Sequence, residues 1–193
     1  MSKPFFTLVL LLVLAVSRPV QSRTIEGLPY EEQVQLAGTT LQLNGVGLRQ
    51  VAWFKGYAAG LYLTRKATTA DQALSAPGPK RLQIRMLVDV ETIEFSKSFN
   101  RGIRRNTPPA QQAALGERAQ AFDRLILGIG KVKTNDAVDI DFLPGRGVVL
   151  SVNGKPRGEP IPGDDLYAAL LRIFLGDKPA DPELKQGLLG APL

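Results

Sequence analysis

The segment Leu43–Leu63, LNGVGLRQVAWFKGYAAGLYL, holds one arginine, Arg49, among glycine, aromatic and β-branched or small residues. This composition predicts strands, and a buried arginine there needs a partner because an unpaired buried charge is very costly. On one straight strand Arg49 and Tyr57 would lie about 26 Å apart at ~3.3 Å per residue. They share a site only if the chain reverses between them, and Trp53-Phe54-Lys55 is a poor turn sequence. Tyr62 is the alternative partner of Arg49.

The N-terminus has the pattern of a secretory signal peptide. Lys3 precedes an apolar run of twelve residues, Phe5–Val16, which is too short to span a membrane comfortably. Val20-Gln21-Ser22 then provides a small-residue cleavage site before Arg23. The sequence therefore predicts a cleaved signal peptide over residues 1–22 and export to the periplasm, with an uncleaved anchor as the alternative.

The mature chain, residues 23–193, has the length of one domain. Loss of Lys3 and Arg18 with the leader lowers the formal net charge from +6 to about +4. The chain has no basic motif interleaved with aromatic residues, so no nucleic-acid partner is expected.

The chain contains no cysteine and no histidine. This composition excludes cysteine nucleophiles, Ser-His-Asp triads and metal sites built from His or Cys. Any chemistry must use Asp, Glu, Lys, Arg, Tyr, Ser or Thr side chains. We expect neither a metal nor another cofactor.

The order of predicted elements indicates an α+β domain. In the first part of the chain the patterns predict strands over 23–63, a helix over 70–75, a strand over 81–90, a helix over 91–105 and a helix capped by Thr107. They then predict a strand over 137–143, a hairpin at Asn153-Gly154, a helix that starts at Asp164 or Asp165 and is stopped by Gly176, and a last helix from Asp181. Strands and helices come in runs, which is typical of an antiparallel sheet with helices on one face. The other face would then be left for a ligand or for water.

The helix predicted over 91–105 has an apolar stripe and a basic face. The stripe contains Thr92, Phe95, Phe99, Gly102 and Ile103. The cations lie mostly away from it, at Lys97, Arg101, Arg104 and Arg105. One hypothesis for this face is peripheral contact with an anionic membrane or an acidic partner, and the simpler interpretation is a solvated helix surface.

Several motifs in the same order resemble the chalcone isomerase-like family, specifically its exported bacterial branch. They are Leu43–Arg49, Lys55–Leu63, Gly154–Gly163, Leu166-Tyr167 and Leu175-Gly176-Asp177. The resemblance implies an open-faced β-sandwich, in which a large antiparallel sheet carries helices on one face. Members of the family divide by function: plant chalcone isomerases cyclise chalcones to flavanones, whereas relatives without that activity bind fatty acids.

The residues that act in the family's enzymes are mostly replaced here. Arg49 matches the arginine that neutralises the phenolate and the developing negative charge, but Tyr57 stands where the enzymes have a threonine. Phe95 and Gly102 stand in place of a tyrosine and an asparagine, and Ile173 in place of a serine or threonine. Each lost donor costs about 2.7–4 kcal/mol in well-studied oxyanion sites, so we expect little cyclase activity.

Three functions remain open at this point. The first is binding of a fatty acid or similar amphipathic anion in an apolar cleft, with site residues Arg49, Tyr57, Tyr62, Trp53, Phe95 and Phe99. The second is a structural or protein-interaction role, with Arg49 paired to an internal acid and the aromatic residues in the core. The third is an isomerase in which Tyr57 acts as an acid and Arg49 lowers its pKa. A second titratable group in a polar pocket would favour the enzyme, and an apolar tunnel would favour binding.

Overall fold

The computed structural model describes residues 22–192. The predicted signal peptide, residues 1–22, lies almost wholly outside the described residues and stays a prediction. The strands are β1 (Ser22–Ile25), β2 (Leu28–Glu31), β3 (Gln33–Leu36), β4 (Thr39–Val51), β5 (Phe54–Leu63), β6 (Lys80–Met86), β7 (Val90–Glu91), β8 (Lys131–Val132), β9 (Ala137–Leu143), β10 (Gly147–Val152) and β11 (Lys155–Pro156). The helices are α1 (Ala70–Ser75), α2 (Thr92–Asn106), α3 (Pro109–Ile129), α4 (Asp164–Leu175) and α5 (Pro182–Leu188).

A seven-stranded sheet forms the centre of the fold. Its strand order is β11-β10-β9-β6-β5-β4-β3, and its strands pair antiparallel. Two further pairs, β1-β2 and β7-β8, stand outside it. The helices pack on one face of this sheet, so the predicted α+β architecture, a large antiparallel sheet with helices, is confirmed.

The main core lies between the sheet and the helices. Alternate residues of β5, namely Ala59, Leu61 and Leu63, are fully buried in this core. Their neighbours Ala58 and Tyr62 belong to a second cluster on the opposite face. This alternation follows from the two-residue period of a strand.

The second face of the sheet is partly covered, which differs from the open face predicted from the sequence. Ile25, Leu28 and Tyr30 of the β1-β2 hairpin pack with Leu41 and Leu43 of β4 in a separate apolar cluster. The alternating apolar residues of this N-terminal stretch are therefore used to cover the sheet and do not leave it free for a ligand.

Glycines of the LNGVG motif allow α5 to lie directly on β4. A Cβ atom at Gly45 would lie 2.1 Å from the carbonyl oxygen of Gly187, and one at Gly47 would lie 2.6 Å from that of Leu184. The buried Asn44 side chain donates hydrogen bonds to the carbonyls of Ala67 (2.9 Å) and Leu188 (2.7 Å). These contacts hold α5, from Leu184 to its end at Leu188, against the middle of β4.

Helix α2 ends later than predicted, and the next helix begins differently. Thr107 closes α2, since its N–H donates to the carbonyl of Ile103 (3.0 Å). It does not cap α3, whose first residue is Pro109 after Pro108 at the cap position. Within residues 22–192, no helix combines the length and apolar character needed to span a membrane.

Candidate functional site

A tight hairpin brings Arg49 and Tyr57 side by side. Strands β4 and β5 pair antiparallel with Arg49 opposite Tyr57 and Val51 opposite Phe54. The turn between them consists of Ala52, with a positive φ of 51°, and Trp53. The chain reversal that the turn sequence did not predict is therefore present, and Tyr57 is the tyrosine that neighbours Arg49.

Arg49 forms an ion pair with Asp181. Its Nη1 atom donates to Oδ2 of Asp181 at 3.0 Å and to the carbonyl of Gln50 at 3.2 Å. The other carboxylate oxygen of Asp181 accepts the backbone N–H groups of Glu183 (2.9 Å) and Leu184 (3.1 Å), which caps α5. The Arg49–Asp181 ion pair is thus the internal pairing that the second hypothesis predicts for Arg49.

Arg49 also lines a cavity between the sheet and the helices. The cavity has a volume of about 230 Å³, and the Arg49 side chain remains 31% exposed despite its ion pair. Strands β5, β6, β9 and β10 form one wall, and helices α2, α3 and α4 form the other. Most of the lining is apolar and includes Ile84, Phe99, Phe122, Ile126, Ile140, Leu150 and Leu170.

Four of the lining residues are cations with exposed or partly exposed side chains, and we call the part of the cavity that they line the mouth: Arg49, Arg101, Arg105 and Lys178. They are neighbours because the side chain of Asn106, next to Arg105, donates to the carbonyl of Lys178 (2.9 Å). Residues 178–180 then lead directly to Asp181, the partner of Arg49. The cavity therefore has a positive mouth and an apolar interior.

The charges of the mouth are largely uncompensated. Among the described residues, Arg101, Arg105 and Lys178 form no ion pair within 4.0 Å, and the cavity lining contains no Asp or Glu. Arg101 and Arg105 are exposed, in line with the prediction that they lie mostly away from the apolar stripe, yet both also line the cavity. Their four-residue spacing, which places both on one helix face, was the available signal, and no sequence signal indicated Lys178.

Tyr57 supplies a neutral hydroxyl close to the mouth. Its ring lies 6.4 Å from that of Phe95, centroid to centroid. Burial raises the pKa of the Tyr57 hydroxyl above its ordinary value, and the nearby Arg49 guanidinium only partly opposes this shift. The net direction is opposite to that proposed for an acid activated by Arg49, so Tyr57 is a protonated hydrogen-bond donor at neutral pH.

Phe95, Gly102 and Ile173, the positions that the resemblance aligns with polar residues of the enzymes, form part of an apolar wall. All three line the cavity. A Cβ atom at Gly102 would lie 2.6 Å from Cγ2 of Ile173, so the isoleucine occupies the space that a side chain on Gly102 would need. Hydrogen bonding to a reacting group from these positions is therefore lost.

The structure separates two of the predicted site residues from the other four. Trp53 is 91% exposed at the hairpin turn, because a two-residue loop projects its side chains beyond the sheet. Tyr62 is fully buried on the opposite face, in the cluster with Tyr30. Neither lines the cavity, whereas Arg49, Tyr57, Phe95 and Phe99 do. That these four bind a ligand stays a prediction.

The described residues contain no group of three or more Asp, Glu, His or Cys side chains placed to hold a metal ion. The arrangement can instead bind an anionic group at the mouth and a hydrocarbon chain behind it. An arginine guanidinium at the mouth can pair with a carboxylate, and the apolar walls can bury a hydrocarbon chain.

Comparison with known proteins agrees with this architecture. The family model described as chalcone isomerase-like matches residues 22–190. Among solved structures, the chain is similar to the fatty-acid binding protein AtFAP1 of Arabidopsis thaliana, with a TM-score of 0.68 and 16% sequence identity over 88% of this chain and 96% of that chain. A comparison with curated proteins found no match. At this identity the structural similarity describes the fold alone.

Proposed function

This chain belongs to the chalcone isomerase-like family, and on that premise we propose that it binds a single-chain amphipathic carboxylate, such as a fatty acid, without transforming it. The observation that carries the proposal is an apolar cavity whose mouth is lined by Arg49, Arg101, Arg105 and Lys178. The structurally similar Arabidopsis protein is named as fatty-acid binding, which is consistent with this use of the fold.

The head group of the ligand meets the mouth. Within residues 22–192 the Arg49 guanidinium forms hydrogen bonds through Nη1 only, to Asp181 and Gln50. Its other nitrogens can therefore bind a second carboxylate. Arg101 and Arg105 add uncompensated charge one helical turn apart on α2. Tyr57 adds a neutral hydroxyl donor. Its hydrogen bond to an ionised carboxylate would be charge-assisted, and such bonds are about twice as strong as those between two neutral groups.

The chain of the ligand fills the cavity interior. Each buried methylene group contributes roughly 0.8 kcal/mol, so the apolar walls supply affinity that grows with chain length until the cavity is filled. The volume of about 230 Å³ is below the range of about 300–1,000 Å³ typical for drug-sized ligands. A narrow single chain fits this volume better than a bulky fused-ring compound.

The same observations argue against an isomerase. The cavity lining offers no carboxylate that could serve as a base. Tyr57 has a raised pKa, and Phe95, Gly102 and Ile173 give no polar group to the developing charge. We therefore expect binding without turnover.

A structural or protein-interaction role is the second candidate, favoured by the Arg49–Asp181 ion pair. In that case Arg49 serves to hold α5 against β4, and the cavity stays without an anionic ligand. The two candidate functions differ in whether Arg101, Arg105 and Lys178 contribute to binding of an anionic ligand.

We also propose export of the mature chain, on the N-terminal pattern alone.

Calorimetric titration with saturated fatty acids of increasing chain length tests the proposal. The test variant is Arg101→Gln with Arg105→Gln, and the matched control is Arg104→Gln, an exposed arginine of the same helix that does not line the cavity. We expect the double variant to bind about tenfold more weakly or worse, since charged hydrogen bonds contribute about 1.5–3 kcal/mol, and the control to bind as wild type. Absence of binding by the wild type would contradict the proposal.

A further inference from the structure

The tip of the β4-β5 hairpin exposes two adjacent aromatic side chains. Trp53 is 91% exposed and Phe54 is 55% exposed, although both are large and costly to hydrate. Folded proteins expose single apolar residues commonly, but contiguous exposed apolar groups usually mark an interaction site. Trp53 is also the only tryptophan in the chain.

This aromatic tip stands next to the cavity mouth. Trp53 follows Arg49 by four residues, or about 13 Å of extended strand. Behind the tip, the backbone N–H of Gln50 lies 3.4 Å from Oδ2 of Asp181, which places residues 178–180 beside the base of the hairpin. The aromatic pair therefore lies at the end of the hairpin that carries Arg49, beside the segment that carries Lys178.

The same region carries an excess of exposed positive charge. Arg101, Arg104, Arg105 and Lys178 are exposed, and none of them forms an ion pair in the part of the chain that the structure describes.

Nearby acids are mostly engaged. Glu94 pairs with Lys97 (2.7 Å), and Glu26 pairs with Lys55 (2.8 Å) next to the tip. Asp177 is exposed beside Lys178, and Glu183 is exposed two residues after Asp181. Together they reduce the local charge by two units, against the four exposed cations. The region stays positive and is complementary to an anionic surface.

We propose that the aromatic tip and the mouth cations together form a docking surface for an anionic lipid bilayer. Tryptophan and phenylalanine favour the interface between head groups and acyl chains, and each basic residue near an anionic membrane strengthens adsorption. In this orientation the cavity mouth faces the lipid. The consequence for the ligand rests on the proposed function: an amphipathic carboxylate passes between bilayer and cavity without crossing bulk water.

The fluorescence of Trp53 reports this docking directly. Wild-type protein is titrated with vesicles of phosphatidylcholine and phosphatidylglycerol, and in parallel with vesicles of phosphatidylcholine alone. We expect a blue shift of the emission and protection from acrylamide quenching with the anionic vesicles only. Unchanged emission would overturn the proposal. A blue shift that appears without lipid as protein concentration rises would also overturn it, because a second copy would then cover the tip.

Flotation with the same anionic vesicles distinguishes the contribution of the aromatic tip to adsorption from that of other exposed apolar residues. The test variant is Trp53→Ser with Phe54→Ser, and the control is Leu127→Ser, an exposed leucine of α3 outside the mouth. We expect the test variant to adsorb at least about tenfold more weakly and the control to adsorb as wild type. Equal adsorption of the test variant and wild type would overturn the docking proposal.

The fatty-acid titration is repeated on the Trp53→Ser, Phe54→Ser variant in the absence of vesicles. Because neither residue lines the cavity, we expect unchanged affinity together with lost adsorption. If the wild type adsorbs to vesicles but binds no fatty acid, the docking surface stands and the proposed function fails. If the wild type binds fatty acid but does not adsorb to vesicles, the proposed function stands and the docking surface fails.

Discussion

Arg49 and Asp181 meet at 3.0 Å, although 132 residues separate them in sequence. Asp181 uses its other oxygen to cap α5, so one carboxylate joins the last helix to the strand that carries the candidate anchor. The pair has two consequences. It holds the Arg49 guanidinium at the cavity mouth, and it neutralises part of the charge that a ligand would otherwise meet.

Replacing Asp181 by asparagine should separate these two effects. The amide oxygen of Asp181→Asn can still accept the N–H groups of Glu183 and Leu184, so we expect most of the cap to remain. The negative charge beside Arg49 is gone, so we expect fatty-acid affinity to increase severalfold in calorimetric titration. Unchanged or weaker affinity in a variant of normal stability would show that Arg49 does not contact the ligand.

Alanine at the same position should reduce stability instead. Asp181→Ala removes the cap as well as the ion pair, and loss of an N-cap costs about 0.5–2 kcal/mol. We expect the free energy of unfolding, measured by urea denaturation, to fall by at least that amount relative to Asp181→Asn. Equal stability of the two variants would contradict the capping role.

The close contact between Gly102 and Ile173 gives a prediction on packing. Gly→Ala within a helix usually stabilises by roughly 0.5–1 kcal/mol, but a Cβ at Gly102 would lie 2.6 Å from Cγ2 of Ile173. We therefore expect Gly102→Ala to destabilise the protein by about 1–3 kcal/mol in urea denaturation.

A double-mutant cycle tests the cause of this destabilisation. Ile173→Ala removes the clashing Cγ atoms, so Gly102→Ala should cost much less in that background, even though Ile173→Ala alone costs about 2–5 kcal/mol. Additive effects of the two substitutions would contradict this cause, because the cost of Gly102→Ala would then not depend on the Ile173 side chain.

All four tyrosines should resist ionisation in the folded protein. Burial raises the pKa of Tyr30, Tyr57, Tyr62 and Tyr167 above the ordinary value of about 10. A raised folded-state pKa stabilises the protein below the unfolded pKa, and this contribution is lost as pH rises above about 10. Absorbance at alkaline pH should show tyrosinate appearing together with loss of the folded circular dichroism signal. Tyrosinate that appears near pH 10 while the fold persists would contradict this prediction.

The apolar end of the cavity should set the chain length of the ligand. Leu150 lines the cavity and is buried, so Leu150→Phe shortens the space and Leu150→Ala lengthens it. We expect the preferred fatty acid in calorimetric titration to become shorter in the first variant and longer in the second, while both keep the mouth unchanged. The same preference in both variants would place the chain outside this cavity.

Most of the fold could be predicted from local sequence, because the helices and strands follow clear patterns. The stripe of α2 and the exact span of α1 follow from spacing and caps, and α4 begins at Asp164, the first of its two predicted start positions. The Ala52-Trp53 turn could not be predicted, since neither residue favours a turn. Trp53 is predicted from the sequence to line the pocket, but its position in the two-residue turn exposes it instead.

The site could be predicted only in part, because its decisive contacts are long-range. Arg49, Tyr57, Phe95 and Phe99 were expected to lie together, and they do line one cavity. Asp181 was expected only to begin a helix, and nothing local indicated that its second oxygen pairs with Arg49. Lys178 reaches the mouth only through the packing of the segment after α4 against α2.

Native mass spectrometry of the mature protein, purified without detergent, tests the central claim most directly. We expect a one-to-one adduct with the mass of a long-chain carboxylic acid, which is lost or strongly reduced in Arg49→Gln and retained in Arg104→Gln. A bare protein mass, with no uptake from an added fatty-acid mixture, would contradict the claim and leave Arg49 as the partner of Asp181 alone.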